Sequence, residues 1–423
     1  MRTADPLPDP APSPAPCAPQ GFPADAMRRQ FPLLREQERP LHYLDNAATA
    51  QMHESVFAAT AAHDRSARGN VLRGNHRLGE AATLAYEAAR RGVAAFLNAA
   101  GAAEVVFTSG ATAGINLVAA ALARRLRAGD EILVSLAEHH SNLLPWQRLG
   151  DMGVRLKVLP LRADGRIRVD AAGELIGPRC RMVAVTHASN VTGAVTDVRE
   201  VIAAARRAGA WVLLDGAQAV QHGPVDVQAL GADFYAFSGH KCFGPTGIGV
   251  LWGRGEALAA LPPFMTGGGM VGRVRIEAST WADPPRRFEA GTPPIAQAVG
   301  LAAACDWMRT LDWAAVREHE DRLLRRLLAE LPRIPGLRLL GPTQIGQRLP
   351  VVSFMLGDLH PHDICQVLDG LDVALRGGHH CAQPLMDFFG VAGATRASLA
   401  LYNDDADIDA LLTGLGQAAR ILR

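Results

Sequence analysis

The chain lacks paired cysteines, long apolar runs and an excess of either charge. Its six cysteines, at 17, 180, 242, 305, 365 and 381, include no Cys-x-x-Cys pair, so no metal site of the zinc type is expected. Six thiols in 423 residues are too sparse to staple a secreted protein. No apolar run reaches the ~18 residues that span a bilayer, and the amino terminus has no apolar signal core. The expectation is therefore a cytoplasmic protein with no membrane contact. A formal charge of +1, without basic runs, argues against nucleic acid as a partner. What remains is ordinary in composition: 48% hydrophobic and 20% charged residues suit a globular protein with a sizeable core. At 423 residues, a large domain plus a smaller one is expected.

The first 23 residues hold eight prolines. Such a stretch cannot bury a core and reads as a disordered or polyproline-like tail over residues 1–24. It is either a dispensable extension or an address for a partner or compartment, and Cys17 is a residue of that tail. Residues 25–44 form an N-terminal segment expected to pack with the small domain. From residue 45 to about 310, seven apolar runs ("EVVFTSG", "EILVSL", "RLKVLPL", "RMVAVTHAS", "WVLLDGA", "DFYAFSG" and "IGVLWG") alternate with alanine- and leucine-rich helical stretches. Buried strands with helical crossovers predict an α/β fold with a mostly parallel sheet. Residues 311–423 change texture, with an amphipathic helix ending at Pro332 and shorter strands and helices after it. That is the pattern of a smaller α+β domain.

Ligands of open α/β sheets bind beyond the carboxyl ends of the strands. Polar residues gather at five such ends: Ser109 and Thr112; Glu138, His139 and His140; Asn190; Asp215 and Gln218; Ser238, His240 and Lys241. In "FSGHKCFGPTGIG" one lysine stands among small and apolar neighbours. Burial lowers the pKa of an amine, and a neutral amine can form a Schiff base with an aldehyde; a lone loop lysine is otherwise a surface residue. Asp215 ends an apolar strand and needs a cationic partner, such as a protonated pyridine nitrogen, unless it caps a helix. Gln218 could reach the phenolic oxygen of the same ring. "TSGATAGIN" is a strand end, a glycine turn and a helix start, suited to an anion such as phosphate. Thr112, Ser238 and His240 could join there. His139 could lie over a pyridine ring and move protons. In "LRGGHHCAQP", glycines and histidines surround Cys381 and favour a thiolate nucleophile. Arg396, in "TRASLALYN", could hold a carboxylate with two parallel hydrogen bonds, or serve a structural ion pair.

Together "AEHHSNLLPW", "SNVTG", "DGAQAV", "DFYAFSGHKCFGPTGIGVLW", "RFEAGTP", "RGGHHCAQPLM" and "RASLALYN" resemble the class V aminotransferase-like pyridoxal phosphate enzymes. The match is nearest to the SufS-type (group II) cysteine desulfurases, which include selenocysteine lyase-like members. It runs from about residue 25 to the end. The resemblance implies a pyridoxal phosphate-dependent transferase of fold type I, with a seven-stranded large domain and a small C-terminal domain carrying the cysteine loop. It implies that pyridoxal 5′-phosphate is held by Lys241, which later carries protons. Asp215 then pairs with the ring nitrogen and Gln218 with the phenolic oxygen, while His139 stacks on the ring. Thr112, Ser238 and His240 hold the phosphate, and Thr292 reaches the cofactor of the other subunit of a homodimer. Asn190 and Arg396 bind the substrate carboxylate, and Arg376 lines the entrance. The implied reaction turns L-cysteine into L-alanine and leaves the sulfur on Cys381 as a persulfide. A SufE- or SufU-like acceptor then carries it towards iron–sulfur assembly.

Three motifs depart from the family pattern. Leu72 stands for the histidine of "VHRG", with Arg73 kept; Ala111 and Ala113 stand for the threonine and glutamate of "GTTEGIN"; Gly377 stands for the threonine of "RTGHHC". The first two bear on subunit contacts and active-site communication, and the third is expected to loosen the cysteine loop. The short loop around Cys381 differs from the longer, serine-rich loop of the IscS-type group. Two other readings stand beside the desulfurase. One is a selenocysteine lyase or another class V lyase. The other is a component addressed by residues 1–23 to a partner or an encapsulin-type shell.

Overall fold

The computed structural model describes residues 22–422 except Arg73. The expectations attached to the proline-rich stretch, and to Arg73, lie outside the described residues. The seven apolar runs become seven strands: β1 (Val105–Thr108), β2 (Glu131–Ser135), β3 (Arg155–Leu159), β4 (Cys180–Thr186), β5 (Trp211–Asp215), β6 (Phe234–Ser238) and β7 (Gly249–Gly253). They form one sheet in the order β1-β7-β6-β5-β4-β2-β3. Only β7 runs against its neighbours, β1 and β6; the other pairs are parallel. All five residues of β2, β6 and β7 are buried. Strands covered on both faces have no solvent side, so their sequences are continuous apolar runs without alternation.

Helices cover both faces, among them α1 (Arg77–Phe96), α2 (Ala111–Ala123), α3 (Val198–Ala208) and α4 (Ile295–Met308). In α3 the buried residues Val198, Val201, Ile202 and Ala205 fall on one face, as a 3.6-residue period requires. Asp197 caps its start by accepting from the Arg199 N–H, and Gly209 ends it in the left-handed region at φ 69°.

Beyond α4, helix α5 (Trp313–Glu330) leads into the small domain. Strands β8 (Leu337–Leu340), β9 (Val351–Leu356), β10 (Arg376–Gly378) and β11 (Ala394–Ser398) form a second sheet in the order β8-β9-β11-β10. It is antiparallel throughout. With α6 (Pro361–Asp369) and α7 (Asp405–Ile421) it encloses a separate core that includes Leu323, Leu327, Phe354, Ile408 and Leu411. The amino-terminal segment joins this domain: His42 and Tyr43 pair in parallel with Val373 and Ala374, and Asp45 bridges to Ser398. Arg28 and His42 both reach the buried Asp407, at 3.5 and 2.8 Å. The carboxyl ends of β2, β4, β5 and β6 therefore face a cleft whose opposite wall is the small domain.

Candidate active site

The cleft contains a cavity of about 320 Å³. Thr112, His139, Asn190, Asp215, Gln218, Ser238, His240, Lys241, Arg376, Cys381 and Arg396 all line it. Thr292 does not: it is exposed on the surface. The convergence follows from the sheet. β5 ends at Asp215 and β6 at Ser238, one turn before Lys241. The loops after β2 and β4 bring His139 and Asn190, while β10 and β11 supply Arg376 and Arg396.

Burial lowers the Lys241 amine to about 8, against the opposing pull of Asp215. The same burial raises Asp215, whose carboxylate accepts the Ala217 N–H at 3.0 Å. His139 and His240 are both held neutral, lowered to about 4 chiefly by burial. The His139 ring is fixed through Nδ1, which accepts the Ser141 N–H at 3.1 Å. Behind it Glu138 is pushed up to about 8 by burial. The Ser135 hydroxyl, the Asn142 amide and the Thr186 N–H all meet its carboxyl group, and so it ties the ends of β2 and β4 together. Gln218 donates to the Ala47 carbonyl at 2.8 Å, and its Oε1 is buried without a hydrogen-bond partner.

Helix α2 begins at Gly110, φ 150°, a conformation open to glycine. The turn packs closely, since a Cβ on Gly249 would lie 2.5 Å from the Gly110 Cα. The Ala111 N–H donates to Ser238 Oγ at 2.9 Å, so Ser238 is already engaged by the helix start.

Asp45 is the residue that sequence reasoning missed. Its carboxylate takes Arg376 through Nε and Nη2, at 3.0 and 2.8 Å, and Arg396 through Nη2 at 3.0 Å. Arg396 is buried, and its Nη1 donates to the Asn190 carbonyl at 2.9 Å. Asp45 thus aligns both guanidinium groups. Its only signal in the sequence was an acid directly after the apolar "HYL". The Asn190 side chain donates to the His380 carbonyl at 2.7 Å, which makes it a support of the cysteine loop.

That loop leaves β10 at Gly378 with His380 and Cys381 in left-handed backbone, φ 52° and 55°. This conformation costs a residue with a side chain about 1–2 kcal/mol, so contacts must hold it. Gly377 does not loosen it: the residue pairs with Thr395 inside the sheet. A Cβ there would lie 2.7 Å from the Pro361 carbonyl oxygen, so its absence lets β10 close onto α6. Leu72 lies in the left-handed region too, at φ 74°, with its N–H donated to Thr83 Oγ1.

Cys381 is exposed, whereas Cys180, Cys242 and Cys305 are buried and Cys365 is half-buried. Burial pushes these four thiols up, Cys180 to about 11 and Cys242 and Cys365 to about 12. None of them is a thiolate at neutral pH. Cys381 also lines a second, outer groove of about 930 Å³, with His360, His362, His379 and Arg338. Among the described residues no group of acids, histidines and cysteines is arranged to hold a metal, and no helix is long and apolar enough to cross a membrane.

Comparison with known proteins agrees with this geometry. The family model "Aminotransferase class-V" matches residues 42–411. A cysteine desulfurase of Yersinia pseudotuberculosis is 45% identical over 406 residues, spanning 95% of this chain and 99% of that protein. The crystal structure of the cysteine desulfurase CsdA from Escherichia coli superposes with a TM-score of 0.87 at 41% identity, over 95% of this chain and 100% of that one. A cysteine desulfurase from Thermococcus onnurineus gives 0.89 at 37% identity, over 95% and 99%.

Proposed function

The chain belongs to the class V aminotransferase family, among its cysteine desulfurases, and on that premise we propose that it moves sulfur from L-cysteine onto Cys381, releasing L-alanine. One observation carries the assignment to Cys381. This thiol lines both the inner cavity, with Lys241 and Asp215, and the outer groove. A sulfur accepted from within can be given up outside.

Enzymes of this class work with pyridoxal 5′-phosphate. The cavity fits it: Asp215 is a buried carboxylate without a bonded cation, and Gln218 Oε1 is a buried polar atom on the wall without a partner. Lys241 would hold the aldehyde carbon, and Asp215 the ring nitrogen. His139 would lie on the ring face, with Gln218 at the phenolic oxygen. Thr112, Ser238, His240 and the start of α2 would take the phosphate. When bound, the cofactor supplies a sink for the electron pair released at the substrate α-carbon.

The chain's own groups do the rest. Arg396 and Arg376 orient the substrate carboxylate, held in place by Asp45. Lys241, with its lowered pKa, takes the α-proton and returns it. The Cys381 thiolate attacks the substrate sulfur, so that an S–S bond forms as the C–S bond breaks. The electron pair of the broken bond stays with the carbon fragment, which takes up a proton and leaves as alanine. L-Cysteine and the Cys381 thiol thus become L-alanine and a persulfide, with no external oxidant.

The short glycine-rich loop supports a SufS-type enzyme, with a SufE- or SufU-like protein taking sulfur from the outer groove for iron–sulfur assembly. A homodimer, with Thr292 facing the other subunit's cofactor, is supported by its exposed position and by the hairpin Val271–Val274 and Ser279–Trp281. At the tip of that hairpin Ile276 is fully exposed. The division at about residue 310 and a cytoplasmic location complete the proposal.

The test is to incubate the enzyme with L-cysteine, measure alanine, and weigh the peptide carrying Cys381. The added mass of one sulfur atom on that peptide, with alanine formation lost in Cys381→Ala, is the expected result. Alanine formation at an unchanged rate in Cys381→Ala would end the assignment.

A further inference from the structure

We propose that His140 is a positioning residue for Cys381: its ring holds the small domain's cysteine loop against the large domain, in the left-handed form that presents the thiol to the inner cavity. The inference rests on the reading of Cys381 as the sulfur-accepting thiol.

The loop stays within the small domain but is tied to the large one at three points. The His140 N–H donates to the Cys381 carbonyl at 2.7 Å. The Asn190 side chain donates to the His380 carbonyl at 2.7 Å. The Gln383 N–H points at His140 Nε2 at 3.4 Å. Of these, the third belongs to the His140 side chain. Gln383 opens the helix Gln383–Phe389, and the first N–H groups of a helix have no partner within it. An acceptor supplied from the large domain therefore fastens the far end of the loop, two residues beyond the thiol.

The ring also backs the near end. His379 accepts the Cys381 N–H on Nδ1 at 3.0 Å, and the His140 and His379 rings lie 5.6 Å apart at 35°. The imidazole thus stands beside the group that holds the cysteine amide and bonds the amide two residues later. Two consecutive side-chain-bearing residues in left-handed backbone do not persist without such outside support. Acceptance at Nε2 requires a neutral ring with that lone pair free; burial and the neighbouring His379 lower the proton affinity of His140 accordingly.

His140→Phe keeps a flat ring and removes the acceptor, while His140→Gln places a carbonyl oxygen at a similar reach. The holoenzymes are mixed with excess L-cysteine for a single turnover, and persulfide on Cys381 is followed by mass. The visible spectral change on cysteine binding is recorded in the same samples. Amide hydrogen exchange of the 378–386 peptide is measured without substrate. In His140→Phe, persulfide should form roughly tenfold more slowly or worse, because a small displacement of a nucleophile is costly. Exchange in the loop should be faster, and the cysteine-binding spectrum should match the unaltered enzyme. His140→Gln should restore both the rate and the protection. The proposal is overturned if His140→Phe keeps the normal rate, keeps normal exchange, or loses cysteine binding and persulfide formation together. It is also overturned if His140→Gln is as slow as His140→Phe. Should the unaltered enzyme form no persulfide on Cys381, the reading beneath the proposal falls, whatever the variants do.

Discussion

Replacing Asp45 by asparagine keeps the shape of the side chain and removes one charge. The carboxylate is the ionic partner of Arg396, whose side chain is 2% exposed, and also of Arg376, which is 51% exposed. The exposed pair is worth little, about 0–1 kcal/mol. The buried one matters more, because a charge-assisted bond falls to a neutral one and one oxygen becomes a donor facing guanidinium. Complete loss of a buried partner costs about 3–5 kcal/mol, and asparagine retains one acceptor, so a loss of about 2–4 kcal/mol is expected. For 423 residues, an unfolding entropy of ~2.1 cal/mol/K per residue gives ~0.9 kcal/mol per degree. The melting temperature should therefore drop by roughly 2–5 °C. The two arginines lose their alignment as well, and kcat/KM for L-cysteine should fall about 10- to 100-fold, mostly through KM. Thermal denaturation and steady-state alanine formation measure the two effects. An Asp45→Asn enzyme with an unchanged melting temperature and kcat/KM within twofold of normal would refute the argument that Asp45 sets the carboxylate clamp.

Three further outcomes follow from the same geometry. The sequence holds only two lysines, and Lys157 is engaged by Glu131 at 2.8 Å and by the Leu175 carbonyl. Borohydride reduction of the holoenzyme should therefore fix the cofactor on the Lys241 peptide alone, and label on the Lys157 peptide would contradict the site. Burial lowers Lys241 to about 8 from its ordinary 10.5. The unfolded chain thus binds the extra proton between these values, and through Lys241 stability rises with pH across that window. Covalent cofactor uptake by the cofactor-free chain, which needs the neutral amine, should climb up to about pH 8 and then level off. A rate still climbing at pH 10 would show an amine with no depression. Finally, Cys381→Ser should abolish alanine formation from cysteine but leave the visible cofactor absorbance intact; turnover of selenocysteine by the same variant would separate a desulfurase from a selenocysteine lyase.

The sequence by itself determined the elements and which polar residues stand at their ends. Strands buried on both faces must be continuous apolar runs, and six of the seven were legible as such; the edge strand β3, buried only at Leu159, was legible as a run broken by Arg155 and Lys157. Because parallel strands deliver their ends to one rim, Lys241, Asp215, His139 and Ser238 could be grouped before any coordinates. The proline at 332 marked the end of α5, and the loop around Cys381 stood out by its glycines and histidines. Tertiary structure alone decided what joins residues far apart in the chain. Asp45 lies 331 residues from Arg376 and 351 from Arg396, and no local pattern relates an acid after "HYL" to either arginine. Whether Asn190 faces a substrate or a loop carbonyl depends on where the small domain settles. The same holds for Gly377, which reads locally as freedom yet serves close packing against Pro361. Local propensity and periodicity act over a few residues, whereas a hydrogen bond between domains exists only once both cores have packed and brought its two partners together.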